Sequence, residues 1–530
     1  MKIKTEPQEI WRELEKGQQY NNNIDLYETV KKNENFYIGK QWEGLNAPDL
    51  EKPVLNFLRR VVTYFISMIV SDDVAASFEE FKSTENGNIV TGLMAQEVDR
   101  VIERAKIKSK NRLIIRNAAV DGDSYAYFRF DVDKRSSALG SGEICMDIID
   151  NTRLLFGDPY RQEVQEQPYL LLVKRSMLGS IKELAKQNGQ NPDDIRPDSD
   201  YEFTGESSTE SDLVTTCIKF YRDGDTVWFT EVTRDAVVRP PTNLEYRLYP
   251  VASLSWEHVK HSYHGMAAIT GLIPNQIFVN KLWAMAMVHV QNNAFPKQYY
   301  DATKIKEITN RVGEAVGVMG DPRTAAPISA RGGDMSAQVL ELVDRTITFT
   351  RDFMGASDAA LGNVKPDNTS AIIAVQKASS APLELQRMAF YQFFEDCVRI
   401  IIDIIRADYG LREVSYTDDN GITVVEPFDF STVNYDAMEV NVDVGASSYW
   451  SELMQIQTVD NLFQKGIISD AVTYLESIPS QYVPQKNKLI AKLKERMAQI
   501  PQLPAENPQM EMEGIANGAL SQMQQQPVYQ

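Results

Sequence analysis

The sequence predicts an α+β chain, and three observations carry that expectation. Between Gly265 and Gly410 runs a helix, a breaker-rich insert, a second helix, a loop and a long apolar helix. Ahead of it, LVTTCIKFYRDGDTVWFTEVT alternates apolar and polar residues about Asp223-Gly224, a two-residue hairpin turn. The composition, 43% hydrophobic and 24% charged over 530 residues, belongs to a globular chain long enough for several cores.

Taken in order, the N-terminal region is helical, with Trp11, Leu14, Tyr27 and Val30 among its apolar positions. The turn-rich GLNAPDLEKP leads to a helix from about Val54 to Ser71, and a longer polar helix is expected from about Ile89 to Val120. DSYAYFRFDVD alternates as a strand does, ALGSGE supplies a turn, and ICMDIID is its partner. Leu178 to Gln187 reads as a short helix. NPDDIRPDSDYEFTGESSTESD, rich in Pro, Asp, Ser and Glu, reads as a mobile surface loop. A second hairpin is expected in EVSYTDDNGITVVEP, where Asn420-Gly421 tolerates left-handed backbone.

Within the central stretch, GMAAITGLIPNQIFVNKLWAMAMVHVQNN is interrupted by Pro274, which lacks an amide donor, so a kink or restart is expected near Ile273. Phe278, Leu282, Met285 and His289 then share one helical face. Pro296, Gly320, Pro322, Pro327, Gly332 and Gly333 stop the insert from continuing the helix. Helix resumes at Met335, with Ala337, Leu340, Val343, Ile347 and Phe353 apolar, although Thr346, Thr348 and Thr350 lower its propensity. Gly355, Gly362, Pro366, Asp367 and Asn368 then resist regular structure. From Ser370 to Asp408 the spacing of Phe390, Phe394, Cys397, Ile401 and Ile404 is helical, with a second kink expected at Pro382. The stretch from Pro501 lacks a sustained apolar face and is expected to be a flexible tail.

This order resembles the portal protein of tailed bacteriophages. The resemblance extends outward to NENFYIGKQWEGLNAPDLEKPVLNFLRRVV near the start, EYRLYPVASLSWEHVKHSYHGMAAITGLIPNQIFVNKL before the first central helix, and VNVDVGASSYWSELMQIQTVDNLFQKGIISDAVTYLESIP after the last. It covers about nine tenths of the chain and rests on the order of these segments. What it implies is a multi-part fold with an α/β wing, a helical stem, a small α/β clip and a helical crown. In numbers, the wing takes 1–263, the first stem helix 264–294 (its helical part Met266 to Asn293), the clip 295–334, the second stem helix 335–356 and the tunnel loop 357–370. The long kinked helix and returning wing strands take 371–448, the crown 449–500 and the tail 501–530.

The resemblance further implies a homo-oligomeric ring of twelve subunits at one capsid vertex of the virion, assembled in the host cytoplasm, through which double-stranded DNA is packaged and ejected. Its implied partners are the large terminase, the major capsid and scaffolding proteins, and the head-tail adaptor. On this reading Leu361, Gly362, Asn363, Val364, Lys365, Pro366, Asp367 and Asn368 face the DNA channel, with Lys365 placed to meet a phosphate. Lys304, Lys306, Arg311, Arg323 and Arg331 of the clip are the implied partner contacts.

Charge and motif content bound the alternatives. A formal charge of −19 argues against a surface that grips phosphates, while a negative channel wall would keep a duplex centred. The same charge serves solubility equally well. No phosphate-loop, dinucleotide or nucleophile-elbow motif is present, and neither an enzyme nor a cofactor is expected. Cys145, Cys217 and Cys397 lack pairing spacing and read as small buried hydrophobes of a reducing compartment. His258, His261 and His264 form a His-x-x-His-x-x-His run, but neither strand nor helix geometry converges all three on one metal ion. Asp121, Asp123, Asp131 and Asp133 read as turn and surface carboxylates. The basic run Arg100, Arg104, Lys106, Lys108, Lys110, Arg112 and Arg116 reads as a solvated face paired with nearby acids. His289 reads as a core or ring-interface residue. The apolar run near Val61 to Val70, broken by Thr63 and Ser67, is shorter than the ~20 residues that span a bilayer, so no membrane partner is expected. An adaptor, a scaffold, or a nucleic-acid-processing enzyme are the competing classes.

Overall fold

A computed structural model of the chain describes residues 3–46, 51–70, 74–80, 85–135, 141–198, 212–307, 315–325, 327–330, 337–353, 383–417, 423–433, 438–444, 449–468 and 470–478, with a few positions between 486 and 493. It divides into two compact units, Met1–Gly445 and Ala446–Gln530. Helices and antiparallel sheets both occur, so the α+β class holds.

The first unit opens with α1 (Pro7–Asn23), α2 (Leu26–Ile38) and α3 (Phe57–Val70). Next come β1 (Val74–Glu80), α4 (Glu85–Arg104) and α5 (Ile107–Asp121). One helix was expected from Ile89 to Val120; the chain instead breaks at Lys106, whose φ is +56°. The cause is the phase of the apolar residues. At about 100° per residue, Val98, Val101 and Ile102 would lie opposite Ile107, Ile114 and Ala118 on one continuous helix. The break lets both sets enter the same core, where all six are buried.

Gly122 then turns the chain into β2 (Asp123–Arg135), the centre of a sheet ordered β3-β2-β9 with β3 (Ser141–Ile149) and β9 (Val251–Ser255). The expected pairing of DSYAYFRFDVD with ICMDIID is present, with Tyr125 opposite Ile149 and Phe128 opposite Met146. A five-stranded meander occupies the chain between: β4 (Leu154–Phe156), β5 (Tyr169–Met177), β6 (Leu213–Asp223), β7 (Thr226–Val232) and β8 (Val237–Asn243). The hairpin turn falls at Gly224, whose φ of +66° suits glycine. α6 (Leu178–Gln187) lies between β5 and β6, at the expected residues. The edge strand β8 was not expected, because Pro240 and Pro241 argue against a central strand; at an edge their missing amides cost little.

The central stretch contributes α7 (Ile273–Ala294), β10 (Lys297–Tyr299), α8 (Pro322–Ala325), β11 (Ile328–Ala330) and α9 (Ala337–Phe353). α7 restarts at Ile273 and does not begin at Met266: Pro274 sits in its first turn, where an amide would be unpaired anyway. The insert forms a two-stranded sheet of β10 and β11. α10 (Glu384–Asp408) then buries Phe390, Phe393, Phe394, Cys397, Ile401 and Ile404. The expected kink at Pro382 lies outside the described residues. β12 (Leu411–Thr417) and β13 (Thr423–Asp429) form the second expected hairpin, with Val414 opposite Glu426. β14 (Met438–Val444) closes the unit by pairing with β1. α10 packs on β9, and its buried Asp403 accepts from the Arg247 and Leu248 amides at 2.6 and 2.9 Å. All three cysteines are buried, as expected.

The second unit contains α11 (Tyr449–Gln464) and α12 (Ala471–Glu476). Asp470 caps α12 by accepting from the Val472 and Thr473 amides, and Phe463 stacks near Tyr474 with ring centroids 4.5 Å apart. Both helices fall in the stretch expected to be helical. The tail from Pro501 lies outside the described residues.

Candidate functional site: a two-helix unit and its buried anchor

The residues that lead into α7 are fixed by a crossing of two glycines. A Cβ on Gly122 would overlap the Gly265 carbonyl oxygen and lie 3.0 Å from its carbon, and one on Gly265 would lie 2.6 Å from the Gly122 oxygen. Gly122 also has φ of +106°, a conformation L side chains rarely adopt. A hydrogen bond from Trp256 N to Gly122 O at 2.9 Å ties the two segments together, and one from Met266 N to Glu257 O at 2.8 Å closes the loop that carries Gly265.

Beside the crossing lies a buried polar network. Asp123 accepts from Tyr125 Oη at 2.5 Å and from Asn151 Nδ2 at 2.9 Å, and it pairs with His264 Nδ1 at 2.9 Å. His264 Nε2 lies 3.1 Å from Asn21 Oδ1, which also accepts from Tyr263 Oη. Asn33 adds a bond from α2 to Thr270 Oγ1 at 2.9 Å. Thus α1, β2 and the approach to α7 share one network, and α2 ties to that approach through its own bond. Both His264 ring nitrogens are occupied, so the ring offers no free nitrogen to act as a base.

This corrects one expectation and resolves another. Asp123 was expected to be a turn or surface carboxylate, yet it is buried, because β2 is covered on both faces where it leaves α5. Asp121 is half-buried, and burial pushes its carboxyl up from 3.8 to about 8, with Arg116 opposing the shift. In the histidine run, His264 is buried while His258 and His261 are exposed, so the three do not converge. Among the described residues, no group of three or more His, Cys, Asp or Glu side chains is placed to hold a metal ion.

From this anchor α7 and α9 pack together. Asn275 Nδ2 donates to Thr350 Oγ1 at 3.0 Å, and Thr350 Oγ1 donates to Thr346 O at 2.7 Å. Thr350, one of the three threonines that lower the helix propensity of α9, therefore supplies a bond to α7. On its inner face α7 sends Gln276 to Leu55 O at 2.8 Å and Asn280 to Gln41 Oε1 at 2.6 Å. The outward faces mix polar residues with a few large apolar ones. α7 exposes Phe278 and Met285 about Lys281, and α9 exposes Leu342 and Phe349 about Arg345, the same i, i+3, i+7 spacing on each helix. Phe278 is 42% exposed and Phe349 58%. His289 is half-buried beside Asn293 Nδ2, 2.7 Å away.

Of the residues singled out in the sequence, Leu361 to Asn368 lie outside the described residues, as do Arg311 and Arg331. Lys304 sits 3.6 Å from Asp301, while Lys306 and Arg323 are exposed within the same insert. The basic run is dispersed among acids, as expected: Arg100 pairs with Glu97, Arg104 with Glu143 and Arg116 with Glu34. The anchor had a faint trace in the sequence, since a glycine between two aspartates separates α5 from β2. The partner glycine, more than a hundred residues on, had none.

Among the described residues, no helix is long and apolar enough to cross a membrane. The chain matches no family model, and no curated protein matches it.

Proposed function

We propose that this chain is the portal subunit of a tailed bacteriophage, forming a ring at one capsid vertex through which double-stranded DNA enters and leaves. The observation that carries the reading is the α7–α9 pair: two helices joined by a small β10–α8–β11 insert, each leaving two large apolar side chains exposed on either side of a cation. Side chains of this kind on a lone chain favour cover by neighbouring copies. On this reading α7 and α9 are the stem, the insert is the clip, and the sheets with α10 are the wing. The second unit supplies the crown. The terminase would dock on the ring during packaging, and head-tail adaptors afterwards, with the capsid and scaffolding proteins around it. The buried histidine network fits a structural anchor better than a catalytic site, because it presents no nucleophile and no open ring nitrogen.

Electron microscopy of the purified chain with native mass measurement tests the reading. A closed ring of about twelve copies with a hole near the ~20 Å width of a duplex is expected. A chain that stays monomeric at all concentrations, or that cleaves nucleic acid with a metal, overturns it.

A further inference from the structure

The buried polar network beside the glycine crossing holds more hydrogen-bonding groups than one arrangement can satisfy. His264 Nδ1 faces the Asp123 carboxylate at 2.9 Å, and Nε2 faces Asn21 Oδ1 at 3.1 Å. Both partners are acceptors, so in this arrangement both ring nitrogens carry hydrogen and the ring is an imidazolium. Asp123, buried and also accepting from Tyr125 Oη and Asn151 Nδ2, balances the charge. The cost falls on α1 and α2, where Asn21 Nδ2 and Tyr27 Oη are both buried without a hydrogen-bond partner. These two groups are neighbours. The Asn21 side chain is close enough to oppose the rise that burial gives the Tyr27 phenol, yet it is not aligned for a hydrogen bond.

Turning the Asn21 amide end for end exchanges an oxygen and a nitrogen of nearly equal size, so it costs no packing. Nδ2 then faces His264 Nε2 and Tyr263 Oη, while Oδ1 faces Tyr27 Oη and accepts its hydrogen. Against a donor, Nε2 is an acceptor, so the ring is neutral, its one hydrogen on Nδ1 and still donated to Asp123. Tyr263 Oη, a donor to Asn21 in the first arrangement, becomes an acceptor in the second. Each arrangement gives up what the other gains. The first has a buried ion pair and two unpartnered groups; the second has no ion pair and leaves only the Tyr263 hydrogen unpartnered.

We propose that His264 and Asn21 form a proton switch, in which uptake of a proton by the ring turns the Asn21 amide and unties Tyr27 of α2 from α1. The ring directly precedes Gly265, so its proton is read at the root of α7. The switch is independent of what the chain assembles into. The titratable groups around the ring are Asp123 and Tyr125 of β2, Tyr263 beside it, Tyr20 of α1, Tyr27 of α2 and, beyond Asp123, Asp121 of α5. Burial raises the Tyr27, Tyr125 and Tyr263 phenols, which keeps them neutral while the ring changes charge. Asp121, pushed up to about 8, ionises in the same range as the measurement and needs its own control.

Nitrogen-15 spectra of the sedimented full-length chain, labelled in histidine and spun at the magic angle, read the protonation of each ring. The His264 signals are those lost in His264→Gln. Between pH 5 and pH 9 they are expected to pass from two protonated nitrogens to Nδ1 alone, and the change should persist in Asp121→Asn. Tyr27→Phe removes the group that the turned amide serves, so the change should move to a proton concentration about fivefold lower. Tyr20→Phe, which removes a hydroxyl bonded to Ser262 Oγ and outside the exchange, should leave it in place. A ring that keeps one protonation state throughout, or a change lost in Asp121→Asn, overturns the switch. So does a Tyr27→Phe change that coincides with the wild type or moves toward acid, or one matched by Tyr20→Phe, which would mark loosened packing instead of a turned amide.

Discussion

Replacing Gly122 with alanine separates the anchor from ordinary backbone flexibility. The added Cβ meets two independent obstacles. Its φ of +106° disfavours an L residue by ~1–2 kcal/mol, and the Gly265 backbone in its path must shift, at a cost of about 1–3 kcal/mol. The unfolded chain, being less free, returns roughly 0.4–1 kcal/mol. The net expectation is a loss of ~2–4 kcal/mol. Gly92→Ala is the control, since that glycine lies inside α4 with nothing within 4 Å of its Cβ. It should stabilise by ~0.5–1 kcal/mol. Urea midpoints of the two variants should move in opposite directions, and hydrogen exchange should quicken at the Trp256 and Met266 amides of Gly122→Ala alone. Equal midpoints, or exchange unchanged at those amides, would refute the assignment of the glycine crossing as the anchor of α7.

The other predictions follow the same physics. The Asp121 carboxyl holds its proton to about pH 8 in the folded chain but only to about 3.8 when unfolded, so its contribution to stability falls as pH rises between those values. Asp121→Asn should therefore gain on the wild type in melts run from pH 5 to pH 8, and a constant gap would contradict the burial of that group. Lys219 Nζ lies 2.5 Å from Glu13 Oε2 with both side chains buried, so Lys219→Met should cost ~3 kcal/mol by leaving the buried carboxylate with the more distant, half-exposed Lys4, 3.8 Å away. The double variant with Glu13→Leu should cost less, read from denaturant midpoints. Cys217 and Cys397 are buried, and burial raises both thiols well above their usual range, so Ellman titration should label neither until denaturant is added.

What could be read from the sequence was local, and what could not was distant or depended on phase. The hairpin about Gly224 and the helix Leu178–Gln187 follow from short-range alternation and periodicity, and both stand at the expected residues. The start of α7 was legible in Pro274 once its tolerance in a first helical turn is applied. The break at Lys106 was also present, in the reversed phase of Val98 and Ile107, but a reading of polarity alone joins the two helices. Asp123 misled because its two aspartate neighbours in the strand, Asp131 and Asp133, are the kind of residue that lines a surface. The cover of β2 on both faces, with Asn151 and His264 returning from further along the chain as partners, makes Asp123 internal. The outward faces of α7 and α9 were half visible: Phe278 and Met285 share a face in the sequence, but which face the fold leaves uncovered is decided by Gln276 and Asn280.

The pairing of β1 with β14 sets a clock on biosynthesis. Val74 has no strand partner until Val444 has been made, so the β1–β14 sheet closes only after nearly all of the first unit has been synthesised. Until then Val74 to Glu80 is an unpaired strand edge, and each growing chain presents it to its neighbours on the same messenger. Low temperature and slow initiation during expression should therefore favour recovery of the chain, and truncation before Met438 should send it to the insoluble fraction.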